Sequence, residues 1–226
     1  PKKLIFTLLF CVLFFVVIPF LIYYFCYWRH FAPVGGLTLK RFWDMQVQMF
    51  NYHSRLVDSH YFSSPWYEWP TIVRPMWYYS AETAIVGYGR VSSISCMGNP
   101  IVWWAGLAAM TALLIALCAS TRPSPVFLLI AVGFASQYLP WVLVPRSTFI
   151  YHYFASVPFI IIATVLWIGR LRKRDSVAGN TLAVTLMALA LFLFVAFYPL
   201  ESGYPCAYSY ALKLRWFNWY NFALQQ

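Results

Sequence analysis

Long hydrophobic runs without a formal charge alternate with short polar breaks along this chain, at Leu4–Trp28, Ile101–Thr121, Pro123–Pro145, Ser147–Gly169 and Ser176–Leu200. Each reaches the length of about 20 residues that a helix needs to cross hydrocarbon, so the pattern predicts about five transmembrane helices. Only Arg122 and its neighbours, among them Pro123 and Pro125, separate the second and third runs, which therefore read as a tight helical hairpin. The first run follows two lysines, as the apolar core of a signal peptide does. It is too long for one, lacks a small-residue cleavage site and ends in Tyr23, Tyr24, Tyr27 and Trp28, so it reads as a retained span with an aromatic interfacial belt.

The periodicity changes after Gly35 and Gly36. Thr38 suits an N-cap, and a helix running to about Asp58 would place Phe42, Met45, Met49, Tyr52 and Leu56 on one stripe beside Trp43, Val47 and Phe50. Lys40, Arg41, Asp44, Gln48, Asn51 and Arg55 fill the other face. Such an amphipathic helix lies in the headgroup plane or on the helix bundle, either as a packing lid or in contact with a substrate. The stretch His60–Tyr79 carries Pro65, Pro70 and Pro75, which excludes one regular helix and predicts an ordered loop. Gly98-Asn99-Pro100 marks the start of the second span, and the residues from Tyr204 onward read as an aromatic interfacial tail. There is no internal repeat and no soluble second domain.

Composition supports this division. With 62% hydrophobic, 21% aromatic and 10% charged residues, no soluble globular surface can be built. The formal net charge of +10 does not imply a nucleic-acid partner, because the basic residues gather at span ends. Lys2, Lys3, Arg122 and the cluster Arg170–Arg174 fall on one side of the bilayer, which the positive-inside rule makes cytoplasmic. The loop Tyr27–Asn99, the turn Arg146–His152 and the tail after Glu201 are then extracytoplasmic or lumenal. The chain opens on Pro1 and reads as a fragment. Of the five cysteines only Cys96 and Cys206 both fall outside the spans, either as a disulfide or as two half-buried thiols. No zinc-ligand spacing, Gly-rich phosphate loop or Ser/His/Asp constellation is present, so no cofactor and no metal are expected.

Several separated motifs follow one another in an order that resembles a known family. They are His60, Ser64, Trp66, Trp69-Pro70 and Arg74-Pro75 with Trp77-Tyr78; then Gly98-Asn99-Pro100 with Trp103-Trp104; then Arg146 with Phe149–Tyr153 and Pro158-Phe159; and finally Tyr198-Pro199 with Ser202-Gly203. Together they resemble the C-terminal four-helix membrane region of the protein O-mannosyltransferases, over nearly the whole chain. The resemblance implies an all-α integral membrane fold, the C-terminal half of a GT-C type glycosyltransferase, with residues 29–226 forming the four-span domain and residues 1–28 the helix before it. Two positions depart from the family pattern: Tyr61 stands where Pro usually follows the loop His, and Pro65 where a basic residue usually precedes the loop Trp. No stretch resembles the lumenal MIR domain of eukaryotic members, so the chain is more like a bacterial one. Its membrane would be the plasma membrane if bacterial, or that of the endoplasmic reticulum if eukaryotic.

The resemblance also implies a reaction: mannose moves from a polyprenyl phosphate such as dolichyl phosphate to Ser or Thr hydroxyls of an acceptor protein. Inversion at the anomeric carbon needs a carboxylate base for the hydroxyl proton and cations or donors for the departing phosphate. The family's catalytic carboxylate belongs to the N-terminal half of the enzyme, outside this chain, so no catalytic residue is assigned here and that half is itself an implied partner. Arg74, Arg146 and His152 are the candidates for donor phosphate, or else span-flanking arginines and a structural histidine. His60, Ser64, Trp66, Glu68, Trp69 and Trp77 form the candidate substrate loop. Its aromatic rings either stack on a ligand or anchor the loop at the lipid interface, and Glu68 either orients an acceptor or pairs with Arg74. The remaining carboxylates on that side are Asp44, Asp58, Glu82 and Glu201. A related lipid-linked sugar transferase with another sugar or a lipid acceptor, a noncatalytic scaffold and a transporter segment are the alternatives. Spans free of charge argue against the last.

Overall fold

The structure is a computed structural model that describes residues 2–56, 60–81, 87–217 and 222. It forms two compact units, Pro1–Leu56 and Val57–Gln226. Five helices are long and apolar enough to cross a membrane, as the hydrophobic runs predict: Lys2–Val34 (α1), Pro100–Cys118 (α3), Pro125–Leu143 (α4), Ile150–Arg174 (α5) and Ser176–Ser202 (α6).

In the first unit, α1 widens to a π-helical turn at Leu13–Val17, just before Pro19. Proline has no N–H for the helical ladder and its ring crowds the preceding turn, which explains the wider turn there. The helix stops where Gly35 and Gly36 take φ of 91° and 84°, a left-handed backbone that suits glycine. Thr38 then caps Leu39–Arg55 (α2), its hydroxyl accepting from Arg41 N at 3.2 Å, as expected of that residue. Phe42 is the buried residue of α2 and lies among the rings of Phe20, Tyr23, Tyr24 and Tyr27. The stripe Leu39, Trp43, Val47 and Phe50 stays exposed beside the Lys40–Asp44 ion pair at 3.0 Å. An apolar stripe left uncovered next to a charged one is the pattern of a helix resting in the headgroup region.

In the second unit α5 packs against α3, α4 and α6. Glycines admit it closely: a Cβ at Gly106 of α3 would lie 2.8 Å from Ile160, and one at Gly133 of α4 would lie 2.2 Å from Phe159. Small residues that let helices approach supply much of the packing energy where hydrocarbon gives no hydrophobic drive. Trp167 Nε1 donates to Ala109 O at 3.0 Å across the same contact. Asn99 does two jobs at the loop end of α3. Its Oδ1 accepts from Ile101 N and Val102 N, and its Nδ2 donates to Ala190 O of α6 at 2.8 Å.

The loop differs from the sequence reading in one respect: it carries strands. Residues Met76–Ser80 (β1) pair antiparallel with Ser93–Cys96 (β3), with an irregularity between Trp77 and Tyr79, and Arg90–Val91 (β2) pairs with Cys206–Ala207 (β4). The β2–β4 pairing ties the tail to the loop, so its start is a strand followed by the short helix Tyr208–Lys213 (α7), and not only an interfacial tail. All five cysteines are free thiols in this structure, so Cys96 and Cys206 are not joined in it. Asp58 and Glu82 lie outside the described residues.

Candidate functional site

The prolines at 65, 70 and 75 break the loop into short pieces, and Trp66–Thr71 forms a 3-10 turn closed by Ile72 at φ 56°. Ile72 is fully buried and is the positive-φ residue other than glycine among those described. Packing over-determines that strained backbone, so the turn is held in place. Before it, Ser64 is locked to the turn preceding α5: Ser64 N donates to Thr148 O at 2.8 Å, and Thr148 Oγ1 donates to Ser64 O at 2.8 Å. Trp69 Nε1 donates to both Ser64 O and Ser64 Oγ at 3.1 Å. The Tyr138 hydroxyl at the end of α4 donates to Trp66 O at 2.9 Å. Ser64, Trp69 and Thr148 are buried, so these bonds form in a dry setting where leaving a partner unmade is costly.

Residues from both sides of this clasp surround a cavity of about 350 Å³. Ser63, Ser64, Pro65 and Trp66 line it from the loop, Trp141 from the end of α4, and Arg146 and Thr148 from the α4–α5 turn. Arg146 is half-buried, and no carboxylate pairs with it among the described residues. A guanidinium offers planar, paired N–H donors suited to phosphate oxygens. A hollow walled by Trp, Pro and Ser around one cation can bind an anion. A larger and more open hollow, about 660 Å³, runs along the polar flank of α2 by Asp44, Gln48 and Arg55; it carries none of the motif residues.

His152 does not line the cavity but packs against Trp141, which does. The fourth span begins as a 3-10 helix, so His152 is in its first turn, closer to the span end than the hydrophobic run alone implies. Its Nδ1 lies 3.1 Å from Phe149 N and 2.9 Å from Phe149 O, and its ring is flanked by Trp141 with centroids 4.1 Å apart and Trp69 at 5.8 Å. Nδ1 is thus committed to the helix cap, and Nε2 is the nitrogen that remains for a ligand.

The other expected residues fall elsewhere. Arg74 turns back onto the loop, its Nη1 donating to Ser63 O at 2.7 Å and to Tyr61 O at 3.5 Å. The expected Glu68–Arg74 ion pair is therefore absent: backbone carbonyls have taken the guanidinium, and Glu68 Oε2 is buried without a hydrogen-bond partner. Trp69 is fully buried, so in this arrangement its ring neither meets a ligand nor anchors in lipid; it is the pin of the clasp. Exposed His60 accepts from Phe62 N through Nδ1 at 3.2 Å and meets the Phe149 ring edge-on at 5.2 Å. Trp77 packs on Phe62 at 5.9 Å, with its Nε1 buried and unpartnered. Beside it, burial and then the Cys96 thiol push the Tyr78 hydroxyl pKa up. Burial likewise raises that of Cys96. Sequence reasoning missed Trp141 and Thr148, which meet Trp69 and Ser64 of the loop from more than 70 positions away. Among the described residues no group of His, Cys, Asp and Glu could hold a metal ion.

These features define a polytopic membrane protein with an ordered loop clasped over the ends of α4 and α5. The chain belongs to the protein O-mannosyltransferase family: residues 38–220 match the family described as the C-terminal four TMM region of protein-O-mannosyltransferase. It is similar to the polyprenol-phosphate-mannose–protein mannosyltransferase of Corynebacterium glutamicum, with 28% identity over 76% of this chain and 35% of the relative. The dolichyl-phosphate-mannose–protein mannosyltransferase 1 of Saccharomyces cerevisiae is 23% identical over 81% of this chain and 24% of the relative. The solved S. cerevisiae protein O-mannosyltransferase Pmt1–Pmt2 complex bound to the sugar donor shares the fold, with a TM-score of 0.66 and 21% identity over 80% of this chain and 26% of that one. The chain thus spans about a quarter to a third of the length of these relatives.

Proposed function

We propose that this chain is the C-terminal membrane part of an enzyme that moves mannose from a polyprenyl-phosphate donor to Ser or Thr hydroxyls of acceptor proteins. The cavity under the loop would receive the donor's phosphate. The observation that carries this reading is the clasp itself: the loop motif and the Arg146 turn, far apart in sequence, meet around one half-buried guanidinium with no acidic partner among the described residues. As the glycosidic bond to phosphate breaks, negative charge grows on the departing lipid phosphate. A cation already fixed in a partly desolvated site stabilises that charge without reorganising at the moment of reaction. Trp66 forms a wall of the cavity, and His152, whose ring packs on the cavity residue Trp141, would offer Nε2 to the same phosphate. Arg74 holds the loop in shape, and the base that takes the acceptor's proton comes from the part of the enzyme outside this chain.

The orientation belongs to the same proposal. The loop and the residues after Glu201 face the extracytoplasmic or lumenal side, with Lys2, Lys3, Arg122 and Arg170–Arg174 on the cytoplasmic side. Residues 29–226 act as the four-span domain and residues 1–28 as the helix that precedes it. The membrane is the plasma membrane in a bacterium or that of the endoplasmic reticulum in a eukaryote. The test is mannosyl transfer from polyprenyl-phosphate mannose to a Ser/Thr peptide in membranes, using this chain joined to the N-terminal portion of its parent protein. Transfer by the joined protein and none by this chain alone supports the reading. Transfer by this chain alone would mean that the base lies within it, with Glu68 the first residue to test. A joined protein that uses another sugar phosphate, and not mannose, would overturn the substrate assignment.

A further inference from the structure

Two grooves flank α5, and both reach the basic residues at its end. The first, about 330 Å³, lies between α3, α5 and α6, with Ile101, Ala105, Ile161, Val165 and Met187 among its walls. Arg172 is the charged residue in its lining. Thr164, the one hydroxyl there, donates to Ile160 O of its own helix at 2.9 Å, so the walls present hydrocarbon to an occupant. From Ile161 to Arg172 the groove follows α5 for roughly 16 Å at 1.5 Å rise per residue. On α3 the lining reaches Ile101 in the first turn of that helix, so the groove runs along the spans from there to Arg172. The second groove, about 420 Å³, holds Arg170 and Lys173 beside Val126, Phe127 and Leu166, with the Arg170 guanidinium 3.8 Å above the Phe127 ring.

Among the described residues these cations form no ion pair. Asp175, the acid next in sequence, accepts from Ala178 N at 2.9 Å as the cap of α6. The root of Arg172 is also fixed, because the backbone of α6 packs against it: a Cβ at Gly179 would lie 2.3 Å from Arg172 Cγ. An apolar channel that ends at an anchored guanidinium, free of ion pairs among the described residues, has the chemistry of an acyl chain joined to an anionic headgroup.

We propose that the groove between α3, α5 and α6 seats an acyl chain of an anionic glycerophospholipid from the leaflet that meets the basic end of α5, with its phosphate held by Arg172. The site is independent of the donor cavity and does not depend on the transferase reading. It differs from a general topology signal in being local to one arginine: Arg122, equally basic, lines neither groove.

The test is native mass spectrometry of the protein released from vesicles of phosphatidylcholine and phosphatidylglycerol, comparing wild type with Arg172→Gln, Arg122→Gln and Ala105→Phe. The wild type and Arg122→Gln should retain phosphatidylglycerol in preference to phosphatidylcholine. Arg172→Gln should lose about fivefold of that preference, the effect of one basic residue at a membrane surface. Ala105→Phe, which fills the groove and keeps the charge, should lose the retained lipid; it carries the test alone if Arg172→Gln does not fold. Equal losses in Arg172→Gln and Arg122→Gln, full retention by Ala105→Phe, or retention of phosphatidylcholine or an added polyprenyl phosphate in place of phosphatidylglycerol would overturn the proposal.

Discussion

Ser64 and Thr148 bind each other twice, Ser64 N to Thr148 O and Thr148 Oγ1 to Ser64 O, both at 2.8 Å. This reciprocal pair joins a proline-rich loop to the turn that presents Arg146. Replacing Thr148 with Val keeps the volume and the backbone bond but deletes the hydroxyl bond to a buried carbonyl that Trp69 Nε1 still serves. A loss of about 1 kcal/mol is expected, seen as a lower thermal midpoint and faster proteolysis within residues 60–80 while the spans stay intact.

Trp69→Phe removes the donor shared by Ser64 O and Ser64 Oγ and leaves a gap where a fully buried indole stood. Both effects act on the clasp, so the cost should be about 2–4 kcal/mol. If the chain is the transferase part proposed above, transfer by the joined protein should fall for donor and acceptor together, because the cavity itself loses shape. Steady-state kinetics with each substrate varied in turn checks this.

Arg74 and Arg146 are chemically alike, but Arg74 is spent on the Ser63 and Tyr61 carbonyls. Arg74→Ala should therefore lower the thermal midpoint of the loop and change the donor KM by less than about threefold. A donor KM that rises with little loss of stability would show that Arg74, too, meets the phosphate.

Gly106→Ala should destabilise the bundle by about 1–3 kcal/mol, since the new Cβ would lie 2.8 Å from three atoms of Ile160. Combining it with Ile160→Ala should recover part of the loss, giving a non-additive pair in detergent unfolding.

Burial raises the Cys96 thiol pKa. At a given pH less of it is thiolate, so alkylation should be slow near pH 8 and accelerate at more alkaline pH than for an exposed thiol. Mass labelling across pH measures this. Cys96→Ser, which can still meet the Tyr78 hydroxyl, should leave transfer activity nearly unchanged.

Much of this architecture was legible in the chain because hydrocarbon is a demanding solvent. A span must be apolar for about 20 residues, so the five runs and the cap at Thr38 could be read directly. The span ends shifted by a few residues because 3-10 turns at Leu139–Leu143 and Ile150–Ser156 extend or open the helices. The strands were hidden. Met76–Ser80 shows no apolar–polar alternation, and its partner Ser93–Cys96 lies beyond an intervening stretch, so only the pairing reveals them. At the site, Ser64, Trp66 and Arg146 share one cavity, whereas Arg74 and Glu68 were legible as charges but not as partners. Backbone carbonyls that a fold aims at a guanidinium can hold it in place of a carboxylate, and sequence does not show where a loop's carbonyls point.

The most direct measurement is the donor dependence of mannosyl transfer by the joined enzyme carrying Arg146→Ala, with Arg74→Ala beside it. Loss of a charge-assisted phosphate contact should raise the donor KM or lower kcat/KM about tenfold or more, at unchanged peptide KM, while Arg74→Ala stays near wild type. Wild-type donor kinetics in Arg146→Ala would contradict the assignment of the cavity to the donor phosphate.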